Sequence, residues 1–172
     1  MTESTNTKSG SRRPQLLDWC AAIAFVALLI ANNFADRGSN GTLRALGVVL
    51  LLLSPFLFVP PFVLLKKYGR ADEDGSFVDT NVTVDRGLYA VVRHPQYLGY
   101  MFLVMGFALL SQNVLTVAIG AAAILFFYLH TVKEDQFCRE HLGEGYGEYA
   151  SRVPRFNLVL GAIRYFRRKR LE

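Results

Sequence analysis

The sequence predicts an all-α integral membrane protein with about four transmembrane helices. A cytoplasmic loop and a C-terminal segment roof a pocket at one end. Three observations carry the prediction. Hydrophobic residues make up 52% of the 172 positions and the mean hydropathy is positive, which is too apolar for an ordinary soluble domain of this size. Of four apolar stretches, 16–34, 43–65, 95–111 and 114–132, all but the shorter third come near the roughly 20 residues that span a bilayer. With the N-terminus in the cytoplasm, four spans place 17 of the 19 Lys and Arg residues on the cytoplasmic side and only Arg37 and Arg44 outside.

The elements follow in chain order. Residues 1–15 are polar and read as a disordered tail, and 16–172 reads as one domain with its chemistry-bearing part at about 77–156. The first span, 16–34, contains Cys20, which reads as packing; Cys138 lies far from it, so neither a disulfide framework nor a zinc-type spacing is present. The second span, 43–65, carries Pro55, Pro60 and Pro61 and is expected to bend or break near its end. Residues 66–93 form a loop with a β-like alternation at 77–84 and a solvated acidic run at 72–74. Pro95 suits the first turn of the third helix, where its missing N–H costs nothing. The uncharged turn 111–113 then returns the chain into the fourth helix as a tight hairpin. Beyond residue 132, Gly143, Gly145 and Gly147 interrupt a helical pattern. The stretch 156–163 fits an amphipathic helix on the membrane surface, and the basic cluster at 164–170 suits a topology anchor or an anionic lipid. The membrane accounts for the basic balance without nucleic acid, and oligomeric state is not legible.

The informative residues gather on the predicted cytoplasmic side. Arg93-His94-Pro95-Gln96-Tyr97-Leu98-Gly99 opens the third helix with residues that a bilayer-entering segment would avoid unless they had a task. At the other end of the hairpin, His130 and Glu134 are four apart and share a helix face. Tyr146 and Tyr149 suit either the roof or an interfacial aromatic belt. Arg152 suits either a substrate contact or a pair with a nearby acid, and Phe126, Phe127 and Tyr128 read as bundle packing.

Gly87, Tyr89 and the run 93–99 resemble the G-x-Y-x-x-x-R-H-P-x-Y-x-G signature of the isoprenylcysteine carboxyl methyltransferases and the related membrane phospholipid and thiol methyltransferases. The acidic pair Glu134-Asp135, then Gly143, Tyr146, Tyr149 and Arg152-Val153-Pro154, resembles the second half of that pattern. The resemblance covers about 81–156 and implies S-adenosylmethionine as methyl donor. It places the cofactor at Asn81, Val82, Thr83, Val84, Tyr89, His94, Pro95, Gln96, Tyr97 and Glu134. The catalytic candidates are Glu134 and His130, and the substrate-binding candidates His130 and Arg152. Carboxyl methyltransferases of this kind carry an arginine one turn before the acid, and here that position is His130. A titratable imidazole in place of a fixed cation suits an amine, thiol or phenol-like acceptor on a lipophilic molecule, which must lose a proton, at least as well as a carboxylate. Membrane sterol reductases, which bind NADPH, share the first half of the pattern, and a non-catalytic membrane scaffold would share the fold.

Overall fold

A computed structural model describes residues 16–34, 37–69 and 81–171. Five α-helices account for most of them: α1 (Leu16–Phe34), α2 (Gly41–Tyr68), α3 (Pro95–Ser111), α4 (Val114–Arg152) and α5 (Leu158–Lys169), with a 3₁₀ turn at Gly87–Ala90. The described residues contain no strand. The tail 1–15 and the acidic run at 72–74 lie outside the described residues, as does 77–80 of the expected β-like segment. Its other half, 81–84, is irregular coil rather than extended pairing.

α2 and α4 are long and apolar enough to cross a membrane, and α1 and α3 are shorter apolar helices. Only 17% and 22% of the apolar windows of α2 and α4 are buried inside the molecule. A core helix of a soluble protein would be mostly covered, so these surfaces are suited to lipid.

The prolines of α2 do not break it; the helix runs unbroken to Tyr68. Pro55 removes the N–H that would meet the Leu51 carbonyl, and the Ser54 hydroxyl donates to that carbonyl instead, at 3.1 Å. α2 packs mainly on α3, through small residues that let the backbones approach. A Cβ on Gly47 would lie 2.9 Å from the Gly106 carbonyl oxygen, and one on Gly99 would lie 3.0 Å from the Ser54 carbonyl oxygen and Phe58 nitrogen. The glycine that closes the 93–99 run is therefore a packing residue.

α1 packs against α4 and α3 around Ala24, Leu28, Val104 and Ala123, with Phe126 and Phe127 closing the cluster. At one end of the bundle, Gln112 in the left-handed region ends α3 and its side-chain amide exchanges two hydrogen bonds with the Asn40 backbone. Asn40 and Asn113 in turn cap α2 and α4 with their side-chain oxygens.

The other end carries the polar residues. α4 continues well past 132, and only Gly143, at φ 63°, leaves the helical region. Gly145 and Gly147 stay within the resumed helix, so the three expected interruptions reduce to one. α5 extends the expected amphipathic stretch to Lys169. A Cβ on Gly161 would collide with the Val91 carbonyl, so the glycine seats α5 directly on the segment after the 3₁₀ turn.

Candidate functional site

The two halves of the motif meet first through backbone. The Arg93 N–H donates to the Pro154 carbonyl at 3.0 Å, and the His94 N–H to the Arg155 carbonyl at 3.3 Å. This seam fixes the start of α3 against the segment that follows α4. Tyr149 reinforces it by donating to the Tyr89 carbonyl at 2.8 Å.

At the centre of the seam lies Asp135, 4% exposed. An ionised carboxylate only accepts hydrogen bonds, so each partner donates to it. Oδ1 receives His94 Nε2 at 2.7 Å and the Tyr146 hydroxyl at 2.6 Å. Oδ2 receives Arg155 Nε and Nη2 at 2.9 and 2.7 Å. Arg93 Nη1 adds an ion pair at 3.2 Å. Burial alone would push the Asp135 carboxyl up; the His94 contact, then Tyr146 and Arg155, outweigh it and hold the group well below the usual carboxylate range. Burial first, and then the bond to Asp135, pushes the Tyr146 hydroxyl far up, so it stays a donor. Tyr149 is raised mainly by its own burial.

The second group is built around Glu134, one residue away and about 100° around the helix. Its Oε2 lies 3.9 Å from His94 Nδ1 and 3.9 Å from His130 Nε2. Those distances are too long for hydrogen bonds. The Tyr97 ring stacks on His130 at 5.1 Å between centroids and meets His94 edge-on at 5.9 Å. His94, Tyr97, His130 and Glu134 thus form one rim. From it an aromatic row runs through Phe127 and Tyr100 to Phe58 on α2, with successive centroids 6.3, 5.6 and 5.6 Å apart. Tyr89 is buried beside the rim; burial and then the Glu134 charge raise its hydroxyl well above the ordinary value.

Of the residues singled out in the sequence, the structure brings together His94, Tyr97, His130 and Glu134, with Tyr89 close to them. Pro95 sits at the first turn of α3, as its chemistry requires. Gln96 follows, and its Nε2 is buried without a hydrogen-bond partner among the described residues; the Arg93 Nε is in the same condition. Asn81 is tied by its N–H to the Gly69 carbonyl at the end of α2. Val82 and Thr83 are half-buried coil, and Val84 is buried. Arg152 lies in the last turn of α4, in a cleft with Asp85, Tyr165, Arg168 and Lys169, and its carbonyl accepts from Arg164 and Arg168.

His94 occupies the N-cap position of α3, but its side chain makes no capping bond and turns to Asp135 instead. Tyr146 and Tyr149 are buried in the seam rather than spread in an exposed belt. Sequence reasoning missed Asp135 as the hub, and with it Arg155. Helical spacing gives no signal for the pair Asp135 and Tyr146, because the non-helical Gly143 separates them.

The rim and seam define a helical membrane protein whose polar chemistry sits at one end of an apolar bundle. The chain matches the family model described as phospholipid methyltransferase over residues 42–145, more than half its length, and belongs to that family. It is similar to protein-S-isoprenylcysteine O-methyltransferase of Xenopus laevis, with 32% identity over 77 residues, 44% of this chain and 27% of that protein. It is also similar to protein-S-isoprenylcysteine O-methyltransferase B of Arabidopsis thaliana, with 29% identity over 72 residues, 41% of this chain and 36% of that protein. A probable enzyme of the same name from Oryza sativa subsp. japonica is 32% identical over 78 residues, 45% of this chain and 41% of that protein. The chain thus spans between about a quarter and two fifths of the relatives it matches. No solved structure matches it.

Proposed function

We propose that this protein transfers a methyl group from S-adenosylmethionine to a lipophilic or membrane-associated acceptor with an oxygen, sulfur or nitrogen nucleophile. The observation that carries the reading is the rim itself, where His94 and Tyr97 from one half of the motif meet His130 and Glu134 from the other. The residues present fit a donor of this chemistry. Glu134 places a part-exposed carboxylate where a positive sulfonium or ammonium is favoured, and Gln96 Nε2 and Arg93 Nε are buried donors suited to adenine or carboxylate acceptors. When bound, S-adenosylmethionine supplies an electrophilic methyl carbon on sulfur.

The chain's own residues then orient and deprotonate. Tyr97 and Tyr89 offer aromatic walls, and Asp135 holds His94 in one tautomer, with Nε2 protonated. His130, at the junction of the rim with the aromatic row, receives the acceptor's proton. An amine, thiol or phenol-like acceptor fits this better than a carboxylate, which carries no proton to remove. The apolar row from Tyr97 to Phe58 suits a lipophilic tail entering from the bilayer. Most of the rate enhancement comes from holding the acceptor in line and matching the field of the site. Four spans with the rim at the cytoplasmic face would place it where a water-soluble donor arrives, consistent with the bias of Lys and Arg.

The test is equilibrium binding of S-adenosylhomocysteine and of NADPH to purified protein, followed by transfer from labelled donor into a lipid extract. Binding of the first and labelling of a lipid are expected. Binding of NADPH instead would overturn the reading in favour of a reductase.

A further inference from the structure

α5 carries two unlike faces. One is bound to the protein: Gly161 sits on Val91, Arg168 donates to the Ala90 carbonyl at 3.1 Å, and Arg164 and Arg168 reach the last carbonyls of α4. Those two guanidiniums satisfy a helix C-terminus and are engaged. The other face has Val159, Ile163 and Phe166 at i, i+4 and i+7, exposed by 72%, 51% and 61%. Together with Ala162 they form an apolar groove flanked by Arg167 and Arg170. α5 contains no acidic residue.

We propose that this face docks on an anionic lipid leaflet, with Val159, Ile163 and Phe166 inserted at the headgroup–acyl boundary and Arg167 and Arg170 on lipid phosphates. Twelve residues make a helix of roughly 18 Å, too short to span and suited to lying in the interface. A stripe flanked only by cations fits a negatively charged partner. The position agrees. α5 packs at the end of the bundle where α2 finishes in Lys66 and Lys67 and α3 begins, which is where an apolar bundle leaves the hydrocarbon. The fixed inner face turns the stripe outward, so docking needs no rearrangement. The inference does not depend on methyl transfer.

The test uses the full chain with Cys20→Ser and Cys138→Ser, carrying an environment-sensitive fluorophore at Ile163→Cys. The protein is reconstituted into phosphatidylcholine vesicles with and without phosphatidylglycerol. With phosphatidylglycerol, the label is expected to be quenched several-fold more by doxyl-labelled lipid than by aqueous iodide. Without it, the preference should weaken. Arg167→Glu with Arg170→Glu should abolish the difference between the two bilayers, and these substitutions touch none of the contacts holding α5 to the core. A label open to iodide in both bilayers would overturn the proposal and leave the stripe as a surface for another protein. Equal lipid quenching in both would overturn the anionic requirement.

Discussion

The seam around Asp135 and the rim around Glu134 are neighbours in sequence and opposites in environment. Asp135 is buried, with both oxygens engaged by donors from the residue before α3, from α4 and from the segment after it. Glu134 keeps 23% of its side chain exposed and stands 3.9 Å from two imidazoles. A carboxylate with every lone pair taken has little left to offer a ligand, and its loss would strand two guanidiniums and an imidazole. Glu134 makes none of the hydrogen bonds of the Asp135 network, so its charge can change without breaking that network. One helix, by a rotation of about 100°, therefore supplies both the tie that holds the seam and the part-exposed carboxylate proposed to face the methyl donor.

The largest effect should come from breaking the seam. Asp135→Ala leaves the part-buried Arg155 and Arg93 without their counter-ion, and the expected cost is about 3 kcal/mol, the low end for breaking a buried pair. Thermal unfolding in detergent reads this directly. A variant as stable as wild type would show that the network contributes nothing to the fold.

Acid should expose the same region. The folded Asp135 carboxyl is held below its unfolded value of about 3.9, so its contribution is complete above that pH and is lost as the pH falls below it toward the folded value. Asp135→Asn, with no carboxylate to protonate, should show a flatter fall in stability between about pH 5 and pH 2. Identical slopes would place the acid sensitivity elsewhere.

Changes at the rim should leave the fold alone. Glu134→Gln is expected to unfold like wild type but to bind S-adenosylmethionine about tenfold more weakly, a loss of about 1.4 kcal/mol. Binding of S-adenosylhomocysteine, which lacks the sulfonium charge, should fall less. Calorimetry with both ligands distinguishes this from a general loss of shape, which would weaken the two equally.

The smallest effect should come from the ring that joins the rim to the aromatic row. Tyr97→Ala removes the stack on His130, worth about 0.5–1.5 kcal/mol, and should weaken ligand binding by about two- to tenfold. Tyr97→Phe keeps the ring and should restore most of it. If the Phe variant is as weak as Ala, the hydroxyl rather than the ring is the group that matters.

The apolar helices were legible because their signal is local. Lengths and boundaries of α1 and α3 follow from runs of apolar residues and from Pro95 and Gln112 at their ends. Hydropathy gives α2 only 43–65, and its prolines predict a bend or a break near its end, whereas the helix runs unbroken from Gly41 to Tyr68. The Ser54 hydroxyl that replaces a lost backbone donor leaves no mark in hydropathy. α4 was read to 132, because polar sequence beyond a span looks like loop until it finds a surface to pack on.

The site divides in the same way. Sequence alone determined the helical membrane character and the candidate rim residues, because each rests on composition, on spacing along one helix or on a contiguous motif. Tertiary structure alone decided which of two adjacent carboxylates is buried, that Tyr146 and Tyr149 point inward, that Arg155 rather than Arg152 joins the seam, and that Gly161 turns the apolar stripe of α5 outward. These depend on which elements approach one another across tens of residues. A carboxylate's burial is set by the donors that other helices bring to it, and no local pattern in the chain encodes them.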